Sequence, residues 1–439
     1  MSRLPRATHR SRRDTKRHVH AALGAAFVMA ACVHAPAVSR PASHVTYWEA
    51  LAELRPVEAA AAARTESEKK FAEALGYLMA GDLDKAERGF AELRATATDS
   101  ILRSGSRVIY TATLQYQEKW DALAALRNDA SEPKGDRADK ASIERWAIAF
   151  KDVPAKTITF RSQSVLLPMS ISVAGTPLVP VKIGDRNYNF WLDTGSSMTM
   201  LASDVAHDLN IVPLMLDTLE IVTSTGRVKA HPALVPALEI GQVLVRNAPT
   251  MIVDESLMQM REAKPLEFSG HVKIDGIIGF DVIRQLDLEV DYERSTLRVR
   301  NPARSKRESD RNMFWVGLPV VRLTGEDGIP LHFGLDTGAQ QSFVTETLLD
   351  KLQLQIARVE SRRVGGLGGE ISLRAPVLPD VRLFVRGFPI LFKNAVVRAP
   401  VYQVLAALDG VLGVDVWSSG IVRIDMTNGV FGIRRPQSD

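Results

Sequence analysis

Hydrophobic positions change their period along this 439-residue chain. From Tyr47 to Arg127 apolar residues recur at three- and four-residue intervals among many Ala, Leu, Glu and Arg, which predicts a helical region over residues 47–127. The pattern lapses between Asn128 and Lys156, where Ser131-Glu132-Pro133-Lys134-Gly135 reads as linker and one short helix is expected near Ser142 to Phe150. Residues 128–164 are therefore taken as a linker carrying that helix. Beyond Thr157 short β-branched runs, such as Leu178-Val179-Pro180-Val181-Lys182-Ile183 and Val243-Leu244-Val245, alternate with Gly, Pro, Asn and Asp. Such spacing predicts a mainly β architecture. The stretch 301–312, dense in Arg, Ser, Lys and Glu, has almost nothing to bury and divides the β region into residues 165–300 and 313–439.

The two β halves repeat one another in order. Phe190-Trp191-Leu192-Asp193-Thr194-Gly195 corresponds to Phe333-Gly334-Leu335-Asp336-Thr337-Gly338. Further along, Asp275-Gly276-Ile277-Ile278-Gly279-Phe280-Asp281-Val282 corresponds to Asp409-Gly410-Val411-Leu412-Gly413-Val414-Asp415-Val416, and Val290-Asp291 to Ile424-Asp425, at one common offset. A single Asp-Thr-Gly arises by chance in a chain of this length with a probability of roughly 5%. Two of them, each preceded by Leu and followed by a matching apolar-apolar-Gly strand, mark a duplication. Asp275 and Asp409 each precede Gly and read as turn residues, Asp291 and Asp425 as strand-end or hairpin carboxylates.

Charge removes one function class. The pI of 9.1 raises the question of nucleic acid. Seven Arg or Lys against Asp14 give the first 31 residues a charge of +6, and with the whole chain at +4 the remainder carries −2. The basic character belongs to the leader, so no nucleic-acid partner is expected. That leader, residues 1–31, has a basic stretch, an apolar run from Ala21 to Ala31 and small residues at its end, the form of an export signal. Eleven helical residues rise only about 16 Å, well short of the roughly 30 Å hydrocarbon core. The sole cysteine, Cys32, closes Met29-Ala30-Ala31-Cys32, which resembles the bacterial lipoprotein box. The expectation is a lipid on Cys32, a tether over residues 32–46 and a periplasm-facing, membrane-anchored chain; an ordinary cleaved signal is the plainer alternative. Ser11-Arg12-Arg13 hints at a twin-arginine signal, but Asp14-Thr15-Lys16 replaces the hydrophobic residues that should follow. One cysteine allows no intrachain disulfide. His207, His231, His271 and His332 show no metal-ligand spacing, no Gly-x-Ser-x-Gly elbow occurs, and no metal or cofactor is expected.

On these residues the chain resembles the pepsin and retroviral-protease superfamily, most closely its bacterial retropepsin-like members, over about Val165 to Arg435. The resemblance implies two tandem β-barrel lobes forming one pseudo-two-fold acid-protease unit. It implies Asp193 and Asp336 as the catalytic pair, with Thr194, Gly195, Ser196, Thr337, Gly338 and Ala339 supporting their loops. The run Val364-Gly365-Gly366-Leu367-Gly368-Gly369 resembles a retroviral flap tip, with Val222-Thr223-Ser224-Thr225-Gly226 as its counterpart in the first half. Flap contacts to an extended peptide are thereby expected from Thr225, Gly226, Gly366, Leu367 and Gly368. The tyrosine typical of the first pepsin flap is missing, with Thr223 in its vicinity. By itself the glycine run would read as a surface loop, and without a following Gly-Lys-Ser or Gly-Lys-Thr it is no phosphate loop.

Two facing carboxylates share a proton, so one serves as general base on a water while the other donates to the scissile carbonyl. Ser196 follows one loop and Ala339 the other, and a hydroxyl donating to Asp193 would concentrate the negative charge there. The implied partner is a peptide or protein. Two alternatives stand beside this endopeptidase: lobes pairing in trans between chains, and a non-catalytic peptide-binding groove. Before the lobes, Leu75-Gly76-Tyr77 and Gly81-Asp82-Leu83-Asp84-Lys85-Ala86 followed by Phe90, with a weaker echo through Tyr110, Gln117-Glu118-Lys119-Trp120 and Ala122, resemble tetratricopeptide units. A generic helical hairpin domain is the alternative. Such a region would dock a protein partner, pack against the catalytic unit or mask its cleft.

Overall fold

A computed structural model of the chain describes residues 45–127, 143–172, 175–261, 271–303, 311–399 and 407–435. The signal, Cys32 and most of the tether fall outside the described residues, as do residues 128–142 and 304–310 of the two expected linker stretches. Among the described residues seven helices precede two β-sheet lobes. They are α1 (Tyr47–Ala52), α2 (Pro56–Ala62), α3 (Glu66–Ala80), α4 (Leu83–Thr96), α5 (Ser100–Tyr116), α6 (Trp120–Leu126) and α7 (Ile143–Phe150).

Local chemistry sets the helix ends. Thr65 and Glu68 form a reciprocal capping box at the start of α3, and Asp82 and Asp99 cap α4 and α5 through their carboxylates. Gly81 ends α3 in the left-handed region at φ 79°, and Asp82 N–H reaches back to Tyr77 O. The buried stripe of α3 includes Phe71, Leu75 and Leu78, and Phe71 meets Phe90 of α4 edge-on at 5.5 Å. At the end of α5 Glu118, at φ 57°, makes the corresponding reversal, with Lys119 N–H bonded to Leu114 O.

Each lobe is built on one large sheet, of nine strands in the first and ten in the second among the described residues. Alternating burial explains the strands that carry the loops: in Arg186–Leu192 the side chains of Tyr188, Phe190 and Leu192 are buried and those between them are more open. The first lobe begins earlier than residue 165, because Thr157–Phe160 pairs antiparallel with Val243–Val253. Residues read as linker are thus sheet. At the other end of the division, Asn312 is buried and its side-chain amide bonds Phe431 N–H and O, so it belongs to the second lobe.

A third sheet joins the lobes. Its order runs Ser164–Pro168, Thr296–Arg300, Asp287–Asp291, Ile421–Asp425, Val430–Arg434. The central pair crosses from one lobe to the other, with Glu289 opposite Arg423 at its middle. Arg423 grips Asp287 through Nε at 2.9 Å and Nη2 at 3.0 Å and adds Asp425 at 3.1 Å. Asp291 and Asp425 also accept backbone N–H groups of their own hairpins, from Glu293 and Arg294 and from Asn428.

Candidate active site

In both lobes the Asp loop leaves a strand that is clamped from below. Gly276–Ile278 runs parallel to Arg186–Leu192 and antiparallel to Met200–Ala202, and Gly410–Leu412 runs parallel to Pro330–Leu335 and antiparallel to Phe343–Val344. The strand then holds the loop directly: Asp193 N–H donates to Ile278 O at 3.1 Å and Asp336 N–H to Leu412 O at 3.0 Å. Asp275 and Asp409, expected as turn residues, do something different. Each sits where the clamping strand begins, and its carboxylate accepts a backbone N–H from the adjacent strand, Asn189 in the first lobe and His332 in the second. Asp409 is fully buried and pairs with Lys351 at 2.9 Å. Burial pushes the imidazole of His332 down to about 3, so that ring is a neutral core group.

The two loops are cross-linked. Thr194 N–H donates to Thr337 Oγ1 at 3.0 Å, and Thr337 N–H to Thr194 Oγ1 at the same distance. Each hydroxyl then donates across the junction, Thr194 to Leu335 O and Thr337 to Leu192 O, both at 2.8 Å. Both threonines are buried, at 2% and 3% exposure, so the four bonds are shielded from water. Substituting Thr194 with Val keeps the shape but leaves Leu335 O and Thr337 N–H without these partners. A loss of about 2–4 kcal/mol in urea denaturation is expected. Thr337→Val should cost a similar amount, and the double variant less than the two together, because both remove the same network. Single losses under about 0.5 kcal/mol would mean the grip adds nothing to stability.

The carboxyl groups of Asp193 and Asp336 are brought together at the junction, each lying against the loop of the other. Gly195 and Gly338 are required by that approach: a Cβ on Gly195 would stand 2.6 Å from Asp336 Cγ, and one on Gly338 would stand 2.5 Å from Asp193 Cγ. Each carboxylate is also held by its own loop. Asp193 Oδ1 accepts from Gly195 and Ser196 N–H at 2.8 and 3.2 Å, Asp336 Oδ1 from Gly338 and Ala339 N–H at 2.9 Å each. Desolvation, and after it the charge of Asp336, raise the Asp193 carboxyl well above the usual carboxylate range, against the opposing pull of the backbone N–H groups. This is the condition of a pair that shares one proton.

The Ser196 hydroxyl does not create the expected inequality. It donates to Met198 O at 2.7 Å, and what Ser196 gives Asp193 is its backbone N–H, as Ala339 gives Asp336. The side-chain difference between the loops is spent on backbone geometry. Sequence reasoning also passed over Asp281 and Asp415, one residue beyond each apolar-apolar-Gly strand and its following residue. Asp281 accepts from Thr199 Oγ1 at 3.0 Å and Asp415 from Ser342 Oγ at 2.6 Å, tying the segment after each Asp loop to the strand beneath. Their matched places in the repeat were the available signal.

Two hairpins carry the expected flap residues. Leu219–Thr223 with Gly226–Ile240 turns at Ser224-Thr225, and Arg358–Gly366 with Gly369–Val377 turns at Leu367-Gly368. Their tips touch, Thr225 Oγ1 donating to Leu367 O at 2.8 Å. Thr223 closes its own turn, accepting from Gly226 N–H and donating to Gly226 O. Gly368 is at φ 101° and a Cβ there would meet Val228 Cγ2 at 2.9 Å, so the second tip depends on glycine for both its turn and its contact with the first.

The helical region reaches this site. Tyr116 lies 4.3 Å from Trp315 and 6.3 Å from Phe280 between ring centroids, with the Arg284 guanidinium 4.4 Å above it. Beside it Glu118 accepts Lys156 at 2.6 Å and Arg284 at 3.0 Å, and Lys156 also meets Asp281 at 2.8 Å. From α7, Trp146 Nε1 donates to Glu220 O in the first flap hairpin at 3.2 Å.

No curated protein matches the chain in sequence. Among solved structures, the crystal structure of a retropepsin-like aspartic protease from Rickettsia conorii matches over 34% of this chain and 94% of that one, at 15% identity and a TM-score of 0.23. The aspartyl protease family model matches twice, over residues 179–282 and 321–416. Each match carries one Asp-Thr-Gly loop, its clamping strand and one flap hairpin, so the two β lobes match aspartyl protease segments in tandem.

Proposed function

We propose that the chain is an aspartic endopeptidase in which Asp193 and Asp336 of one molecule activate a water against a peptide bond. The observation that carries this reading is the juxtaposition of the two carboxyl groups on loops cross-linked within one chain. In the singly protonated pair the ionised carboxylate removes a proton from the water as it attacks the carbonyl carbon. The protonated partner donates to the carbonyl oxygen and stabilises the tetrahedral intermediate, and proton return to the amine breaks the C–N bond. The flap hairpins would lie over an extended peptide, offering backbone hydrogen bonds from Thr225, Gly226, Gly366, Leu367 and Gly368 and excluding water. Pairing in trans has less support, because both halves of the threonine grip and of the joining sheet come from the same chain.

Export and a lipid on Cys32 belong to this proposal, placing the enzyme at a membrane surface facing the periplasm. The helical region is read as a packed layer of the enzyme, with tetratricopeptide-like partner docking a further use of its outer faces. Cleavage of a synthetic peptide library by the full chain, by Asp193→Asn and by Asp336→Asn tests the reading. Cleavage by the full chain and by neither variant is expected; persistent cleavage in both variants removes it. Export is checked separately: a Cys32→Ser chain should lose metabolic labelling with a palmitate analogue, and unchanged labelling would refute the anchor.

A further inference from the structure

We infer that the helical region supplies one wall of a substrate pocket, and that Gln115 and Tyr116 there select a medium-sized aliphatic side chain of the peptide. The inference rests on the endopeptidase reading and assigns a specificity role to a region outside both family matches.

A single pocket wall runs from the Asp193 loop to the end of α5. Gly195 and Ser197 line it on the loop side, Gln115 and Tyr116 on the helical side, and Trp315 and Leu318 of the second lobe complete it. Gly195 is also the residue whose Cα approaches the Asp336 carboxyl, so a peptide side chain seated here belongs to a chain passing the catalytic pair. The chemistry of the pocket narrows its occupant. The acidic group at its edge, Glu118, is already bonded to Lys156 and Arg284, and Asp281 to Lys156 and Thr199. An acidic or basic side chain entering would lose water without gaining an uncommitted partner from these groups. The aromatic faces are engaged as well, Tyr116 lying between the Arg284 guanidinium and the Trp315 ring. A stacking ring therefore finds its platform occupied, while a Leu or Met side chain can fill the remaining apolar space along Leu318 and the ring edges.

The wall is held as firmly as the loop it faces. Lys156, whose side chain is 2% exposed, links Glu118 of the helical region to Asp281 of the first lobe, and Asp281 is bonded to Thr199 beyond the Asp193 loop. Gln115, three residues before Glu118, is half-buried and can be changed without removing the anchor itself.

The test measures selectivity. Peptides varied one position at a time among Leu, Ala, Phe and Asp are cleaved by the full chain and by Gln115→Trp, whose indole fills the pocket. The unaltered chain should favour Leu over Ala at one position by roughly tenfold and reject Asp there, and Gln115→Trp should bring the Leu-to-Ala ratio near one at that position alone. An unchanged ratio at every position, with the melting temperature of the variant preserved, overturns the inference. Tyr116→Phe provides a second variant that keeps the ring, and it should retain the preference. To separate the pocket from the catalytic reading, binding of fluorescent Leu and Ala peptides is measured on Asp193→Asn chains with and without Gln115→Trp. If the full chain cleaves nothing yet the Leu preference appears in binding and is lost with Gln115→Trp, the pocket stands and the endopeptidase reading fails. Cleavage with no Leu preference in either assay leaves the endopeptidase and removes the pocket.

Discussion

Replacing Asp193 with Asn is expected to lower kcat/KM by about 10³- to 10⁴-fold and, at neutral pH, to raise the melting temperature. The loss of activity follows from the removal of a group that must alternate between accepting and donating a proton. The gain in stability follows from the position of that group in the folded chain. Desolvation, then the charge of Asp336, raise its proton affinity above that of an exposed Asp, about 3.9. A carboxyl whose folded pKa is raised contributes most below its unfolded value, and that contribution is lost as pH rises through the folded one. Above about pH 4 the native pair is therefore held at a cost that Asn does not bear. The melting-temperature difference between Asp193→Asn and the unaltered chain should vanish near pH 3.5 and grow towards pH 7.5. The same difference at both ends would show that the two carboxyl groups do not titrate as a coupled pair.

Much of this site was legible because its parts are local and duplicated. Asp-Thr-Gly, the apolar-apolar-Gly strand and the glycine-marked hairpin each need particular residues for close backbone approach, and the repeat puts all three in order twice. Gly195 and Gly338 show why: each lies against the opposite Asp, a contact that leaves no room for a Cβ. What depended on side-chain direction was not legible. Ser196 could have turned its hydroxyl to Asp193, but Met198 O lies in reach and takes it. Asp275 and Asp409 carry the same Asp-Gly signature as ordinary turns, and only the neighbouring strand shows that their carboxylates accept the backbone N–H groups of Asn189 and His332. The docking of the helices was least visible. It rests on Tyr116, Glu118 and Lys156, whose contacts with Asp281, Arg284 and Trp315 arise only in the tertiary fold.

That docking carries the second large effect, since removing the positive charge of Lys156 as Lys156→Met should destabilise the chain by about 3–5 kcal/mol. Its ammonium is buried between the carboxylates of Glu118 and Asp281, at 2.6 and 2.8 Å, and it also donates to Asp281 O at 2.9 Å. Met fills a similar volume but leaves two acidic groups with Arg284 and Thr199 as their remaining partners. Adding Glu118→Gln should restore part of the loss, because the uncompensated charge is then reduced, and a double variant as unstable as the single one would show that packing, not charge, is responsible. Deleting residues 45–150 asks the functional question. A mask over the cleft would leave a more active remnant, whereas a layer that covers Phe280 and Trp315 with Tyr116 and borders the Asp193 loop would leave a less stable and less active one. The aromatic contacts and the buried ion cluster favour the second outcome, and a stable, hyperactive remnant would overturn it.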